Sequence, residues 1–505
     1  MKKPPQTKPS PKAPLTKKNA PHAKATSNNA PDNKDDVKTK HREKIAEEHG
    51  SILIIEGEKP KLNPIAFAVL FAETHKVAHR TRDKQFFQFH DKEGIWAPVS
   101  SNSLIKQMAA TLKELADEFK ASELLVKRKS GQMKDLLNLV GACREFGEPS
   151  PIYRAFLPVA NGVLDVSTDA PVLLPDSPDY WFTEKIPFVY NQKAKCERFL
   201  NELIRPALPD PDDVLLLQRD LGRQLFAGND AQTITILQGE GGSGKSVLIS
   251  IIEAIISLSK IGYLRSHQLT GRFETHGFIG KSTLVGKDVL PDYLNNQGAA
   301  VIKSLTGADR VQTEQKYGGK HDMRGSFYVI ITTNSRLTIK LHGDLKAWRR
   351  RLVVYAFSRE TPDKIIPNFD QVLLKEEGDA IFSWLLQGYL AHRAELGEHG
   401  TLKLTETQQK RVDDWLEESD ALRVFAKASI QKGMGTITVE ELWAAFTEFA
   451  RERKWKLPRQ QNFHEEFKGV MFALFGVDKS THIKRMGIDA RGYDEVLFIN
   501  QNKVL

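Results

Sequence analysis

The octapeptide Gly239-Glu240-Gly241-Gly242-Ser243-Gly244-Lys245-Ser246 spaces its glycines, lysine and hydroxyl as a phosphate-binding loop requires. Glycines let backbone N–H groups converge on a β-phosphate, which also meets the positive end of the helix that follows at Val247. In this chemistry Lys245 bridges the β- and γ-phosphates, and the Ser246 hydroxyl ligates Mg²⁺, so ATP and Mg²⁺ are the expected ligands. A glycine-rich turn could match by chance. The flanks argue against chance, because the apolar run Thr233 to Gln238 reads as a strand and Val247 to Ile256 as a helix, the context that the loop needs.

Hydrolysis needs further groups. Ser282 to Asp288 reads as a short strand ending in an acid able to hold Mg²⁺ or orient water. Asp288 is favoured because it closes the more plausible strand. Asp292 is its rival, since Gly286 and Lys287 interrupt the apolar run and no second acid adjoins Asp288. Phe327 to Asn334 is a β-rich run ending in an amide, and Asn334 delivered beside a γ-phosphate could hold the lytic water; the bland alternative is an Asn that opens a turn. Trp348-Arg349-Arg350-Arg351 stands at the start of another apolar strand. One of these arginines could serve a neighbouring subunit's nucleotide as a trans finger, with Arg350 favoured, Arg349 its rival and Arg351 structural; otherwise they form a solvated face.

These groups require an α/β scaffold. Between 196 and 360 short apolar strands alternate with helices and glycine-rich turns, the pattern of a P-loop (AAA+-like) ATPase core on a parallel sheet. Residues 46–195 read as a small α/β module, with a β-hairpin at Gln85 to Ala97, a helix near Leu104 to Phe119 and an Asn161-Gly162 turn entering a strand. Residues 361–415 read as a helical extension. From 420 to 505 the order of helices and strands suits a C-terminal winged helix, with a recognition helix at Phe463 to Leu474, Lys484 and Arg485 on a strand, and Arg491-Gly492-Tyr493 as the wing turn.

The net charge of +9 belongs mostly to one end. Residues 1–45 hold eleven Lys and one Arg against Asp32, Asp35, Asp36 and Glu43, a net of +8, with seven prolines. Such a segment is expected to be a disordered basic tail, either a solubilising leader or an arm that gains DNA affinity by counterion release. No apolar run reaches the roughly 18 residues of a membrane span. Neither a disulfide framework nor a thiolate zinc site is expected from two cysteines far apart in sequence, and a cytoplasmic setting follows.

Taken in order, NGVLDV at 161, LGRQLFAG at 221, GEGGSGKS at 239, KSLTGAD at 303, IITTN at 330 and WRRR at 348 resemble the superfamily III helicases of phages, plasmids, satellites and large DNA viruses, in particular the poxvirus-type primase-helicase branch. The resemblance implies a homo-hexameric or related ring that moves 3′ to 5′ on single-stranded DNA. It also implies a channel hairpin after KSLTGAD, where Lys316, Tyr317, Lys320 and His321 join a stacking ring to cations. Many relatives carry a primase domain. No strand-borne DxD pair is present here, Asp210-Pro211-Asp212 lying in a proline-broken turn, so a separate primase or polymerase is the expected partner. Two rival functions remain open: an origin-binding initiator whose ATPase drives assembly and melting of origin duplex, and a P-loop ATPase for DNA packaging or protein remodelling.

Overall fold

The computed structural model describes residues 34–56, 59–147, 155–264, 275–291, 293–294, 298–314, 320–337, 345–361, 365–399, 401–453, 455, 457–485 and 488–499. The chain forms two compact units, one of residues up to 148 without 91–95, the other of 91–95 with 149 onward. Residues 149–195, expected in the N-terminal module, therefore belong with the larger unit.

The smaller unit runs α1 (Lys34–His49), β1 (Leu53–Glu56), β2 (Lys59–Leu62), α2 (Pro64–Thr74), β3 (Val77–Arg80), β4 (Gln85–His90), β5 (Ile95–Val99), α3 (Ser101–Glu118) and α4 (Ser130–Cys143). The expected hairpin is β4 and β5, extended by β3. α3 starts where Ser100 accepts the Ser103 N–H at 3.2 Å, and it buries Leu104, Met108, Leu112 and Leu115, one helical face. Helix α1 corrects the expectation of disorder for residues 34–45. Ile45 is buried in the same core as Phe67, Phe71 and Leu112, and His41 and Arg42 reach Glu73 at 2.7 Å and Glu118 at 3.0 Å. Composition missed this because a buried Ile45, a His41–Glu73 hydrogen bond and an Arg42–Glu118 ion pair hold an otherwise polar helix.

The larger unit begins with an antiparallel sheet of β6 (Phe156–Val159), β7 (Gly162–Asp165) and β8 (Val172–Leu174), then a short α5 (Arg205–Ala207) and α6 (Pro211–Gly222). Asp210 caps α6 by accepting the Asp212 N–H at 2.9 Å. Next come β9 (Ile234–Gly239), α7 (Lys245–Ile256), β10 (Ile261–Tyr263), β11 (Thr283–Gly286), α8 (Gly298–Thr306), the hairpin β12 (Arg310–Glu314) and β13 (Lys320–Arg324), β14 (Tyr328–Thr333), α9 (Leu345–Arg349) and β15 (Leu352–Phe357). Five of these strands form one parallel sheet in the order β10-β11-β14-β9-β15.

Both faces of that sheet are covered, so its strands are mostly apolar and their side chains divide between two cores by the period of two. Ile234, Ile236, Val329, Ile331, Leu352 and Val354 enter one core with Trp348 and Trp415; Leu237, Ile330, Val353, Tyr355 and Phe357 enter the other with α7 and α10 (Phe369–His399). Helix α10 lies against α6 at glycines on both sides. A Cβ on Gly222 would sit 2.2 Å from the Leu385 carbonyl oxygen, and one on Gly388 would sit 2.0 Å from that of Gln218. This contact accounts for Gly222, the first of the two glycines in LGRQLFAG.

After α11 (Glu406–Ser419) the chain continues through α12 (Ala421–Ser429), β16 (Ile430–Thr438), α13 (Val439–Glu452), α14 (Gln460–Phe475), β17 (Ser480–Arg485) and β18 (Ile488–Phe498). The strands pair antiparallel in the order β16-β18-β17 over a core containing Phe425, Phe446, Phe463 and Phe467. Arg491-Gly492-Tyr493 is no turn: it lies within β18, with Gly492 opposite both Thr438 and Ser480. Gly492 reflects close packing in a central strand, since a Cβ there would meet the Ile437 carbonyl oxygen at 2.2 Å. The last register pair between β17 and β18 is Arg485 with Ile488.

Candidate nucleotide site

A parallel sheet sends all its strand C-termini to one edge, and four of them carry polar groups here. Strand β9 ends at Gly239, paired with Phe357, and leads into the loop and α7. Gly242 and Gly244 take φ of 85° and 95°, left-handed values that glycine adopts without strain. The loop is held from within. Lys245, only 4% exposed, donates from Nζ to the Gly239 and Glu240 carbonyls at 2.6 and 2.9 Å and to Ser243 Oγ at 3.1 Å. Burial pulls its ammonium below the ordinary lysine pKa, and the charge of Asp288 pushes the other way. Ser246 is exposed on the first turn of α7.

Asp288 follows β11 by two residues and is exposed, in the left-handed region at φ 46°. Its N–H donates to Thr332 Oγ1 at 2.8 Å, and the next N–H, of Val289, donates to the Thr332 carbonyl at 3.0 Å. Asp288 is thereby tied to the end of β14, where Asn334 is exposed immediately beyond the strand. Asp292 lies outside the described residues. The exposed Ser246 hydroxyl and the exposed Asp288 carboxylate are hard oxygen donors beside a positive-φ glycine loop, a donor set whose chemistry fits a magnesium nucleotide.

The arginine triplet does not begin a strand, so its side chains do not alternate as a strand would require. Arg349 closes α9, Arg350 and Arg351 form a turn, and β15 starts at Leu352. The helix is favoured because Trp348 must bury in the core between Val412, Trp415 and the sheet. Arg349 is held by Asp413 through two contacts of 2.6 Å. Arg351 is buried and donates to the Ala347 carbonyl at 3.0 Å. Arg350 is exposed and donates to Gln232 Oε1 at 2.8 Å. Arg349 and Arg350 line a cavity of about 650 Å³ together with Lys403 and Lys410.

The hairpin β12/β13 frames 315–319 with Glu314 opposite Lys320. Lys316 and Tyr317 lie outside the described residues, while Lys320 and His321 open β13. Lys484 is exposed on β17, Arg485 ends that strand, and Arg491 is exposed on β18.

Sequence reasoning missed one element at this edge, the segment after β15. Thr361 donates its hydroxyl to the Gly241 carbonyl at 3.2 Å, and Arg359 Nη1 lies 3.9 Å from the Cβ position of Gly244. Only the pairing of Phe357 with Gly239 brings this segment to the loop, so no local signal marked it.

Comparison with known families gives two matches. Residues 67–205 match a model described as D5 N terminal like, and residues 237–351 match a family of unknown function, DUF5906. No curated protein matches the chain. Among solved structures the chain is similar to the apo structure of the NrS-1 C terminal region, with 11% identity, coverage of 87% of this chain and 100% of that one, and a TM-score of 0.47. Two A-form apo structures of the same region give 12% and 10% identity, coverage of 87% and 86% of this chain and 100% and 99% of theirs, and TM-scores of 0.45 and 0.42.

Proposed function

We propose that this chain is an ATP-hydrolysing, ring-forming DNA helicase that serves replication of a phage, plasmid or other mobile element and moves 3′ to 5′ along single-stranded DNA. The observation that carries the reading is the strand order. β14 lies between the loop-bearing β9 and the acid-bearing β11, so Lys245, Asp288 and Asn334 share one edge of one sheet. That arrangement supports a hydrolase over a simple nucleotide binder, because an amide and an acid stand beside the loop where a water must be oriented.

Bound Mg²⁺-ATP supplies the phosphoanhydride whose cleavage drives the cycle. With the nucleotide bound, Lys245 would give up its loop carbonyls and neutralise the β- and γ-phosphates; Ser246 and Asp288 would hold the metal, and Asn334 would orient the water. Arg350 is the trans finger, because its exposed guanidinium holds one neutral amide, whereas Arg349 is bound to Asp413 and Arg351 is buried. A finger from a neighbour makes head-to-tail interfaces, which close into a hexamer or related ring. The hairpin carrying Lys316, Tyr317, Lys320 and His321 grips single-stranded DNA. A separate primase or polymerase completes the machinery, in a cytoplasmic setting.

The order helix, strand, helix, helix, strand, strand from α12 to β18, with its three-stranded antiparallel sheet, favours a second reading. It supports a winged helix, with Lys484, Arg485 and Arg491 meeting origin duplex, and hence an initiator whose ATPase drives melting. Measuring ATP turnover with and without single-stranded DNA, alongside solution mass, tests the primary reading. DNA-stimulated turnover in a multi-subunit species is expected. Turnover indifferent to DNA, or full activity in a monomer, sinks it, and protection of one duplex sequence without unwinding favours the initiator. The trans role is checked by mixing inactive Arg350→Ala with inactive Lys245→Ala chains, where partial recovery of turnover is expected.

A further inference from the structure

The segment leaving β15 is pinned on both sides of one arginine. Before it, Phe357 is in register with Gly239, and Ser358 donates its N–H to the Ala207 carbonyl at 2.9 Å. After it, Thr361 donates to the Gly241 carbonyl at 3.2 Å, and Thr361 Oγ1 lies 2.2 Å from where a Cβ on Gly242 would stand. Arg359 sits between these anchors. Its guanidinium comes within 3.9 Å of the Cβ position of Gly244, the residue that caps α7, and it is half-buried with no hydrogen-bond or ion-pair partner among the described residues.

Each arginine of the 349–351 triplet already has a protein acceptor: Asp413, Gln232 and the Ala347 carbonyl. Arg359 has none, yet it is the arginine brought to the loop of its own chain. A half-buried guanidinium is poorly placed without an acceptor, and the group that belongs beside Gly244 is an anion drawn by the loop N–H groups and the start of α7. The apolar Leu203, whose Cδ1 lies 2.7 Å from the same Cβ position, is the other side chain beside Gly244.

We propose that Arg359 is a same-chain phosphate ligand: it binds the nucleotide held by the loop of its own subunit, with the anchored 358–361 segment fixing its guanidinium beside Gly244. This rests on the nucleotide reading of the loop. It adds a binding residue distinct from the trans finger, supplied by a strand end that already fastens to the loop through Thr361.

The test uses the full chain with Mg²⁺-ATP titrated by calorimetry against wild type, Arg359→Ala, Arg359→Lys and Lys245→Ala. Arg359→Ala should weaken ATP binding about tenfold, the effect of losing one charge-assisted contact. Arg359→Lys should recover part of it through retained charge. Melting midpoints without nucleotide should match wild type for both, which separates ligation from a structural role. Wild-type affinity in Arg359→Ala, with binding lost in Lys245→Ala, overturns the proposal and leaves the loop assignment standing. Undiminished binding in Lys245→Ala overturns the loop assignment itself. At ATP concentrations below the weakened affinity, adding Lys245→Ala chains should not restore the turnover that Arg359→Ala loses, because both residues serve one nucleotide from one chain; restoration would mean that Arg359 acts on a neighbour and would overturn the same-chain assignment.

Discussion

The five-stranded parallel sheet carries polar clusters at opposite ends, and they differ in how completely they are satisfied. At the C-terminal edge Asp288, Asn334 and Ser246 are exposed, and Lys245 is held by loop carbonyls. Beside the N-terminal ends of β9 and β14 the cluster is sealed. Asp220 and Arg223 are 0% and 2% exposed, paired at 2.6 Å. Arg223 also donates to Thr233 Oγ1 and, at 2.9 Å, to Asn229 Oδ1. Thr235 and Tyr355 donate to Asp220 Oδ2 at 2.6 and 3.3 Å, and Asn229 Nδ2 reaches the Thr233 and Phe327 carbonyls at 2.8 and 2.9 Å. A buried pair with its hydrogen-bonding capacity spent inside the protein has nothing to offer a ligand and a large penalty if broken. Groups left open to solvent at strand ends can change partners at small cost. Lys245 apart, whose three acceptors all belong to the loop itself, saturation more than polarity separates scaffold from chemistry in this sheet.

Mutating each end should therefore give opposite phenotypes. Lys245→Ala should abolish ATP hydrolysis, a loss of at least about a hundredfold, while the melting transition stays near wild type. Near-normal turnover in the purified variant would erase the contrast. Arg223→Ala should act the other way, removing roughly 3–5 kcal/mol of stability by stranding the Asp220 carboxylate in the core. Urea unfolding measures this; a loss below about 1 kcal/mol would mean that water or a neighbour readily replaces the guanidinium.

A smaller effect comes from His392 on α10, whose pKa is pushed down to about 4 by burial first and then by Arg223 and Arg219, against the opposing charge of Asp220. The unfolded imidazole binds a proton near 6.5, so between about 6.5 and 4 the unfolded chain holds more protons than the folded one. Stability should be full above that window and fall as pH drops through it, by roughly 3 kcal/mol if His392 acts alone. Melting profiles of wild type and His392→Leu from pH 7 to 4.5 would check this, the variant losing that part of the slope. Identical slopes would place the acid sensitivity elsewhere.

Much of this protein was legible before its structure, where neighbours in sequence do the work. The loop from Gly239 to Ser246 sits between an apolar strand and an apolar helix, and its glycines and lysine specify a local shape whatever surrounds it. The hairpin at Gln85, helix α3 and the elements from α12 to β18 were equally readable from periodicity. Boundaries failed where long-range packing overrode local pattern: α1 forms because Ile45 finds a core, the arginine triplet is split by the helix that buries Trp348, and Gly492 lies mid-strand because Ile437 closes on it. What only the tertiary structure decided is strand order. Placing β14 between β9 and β11 gives Asp288 its hydrogen bond to Thr332, 44 residues away, and pairing β15 with β9 brings Arg359 and Thr361 to the loop. Parallel strands are joined by crossovers, and nothing in a strand's own residues names its neighbour.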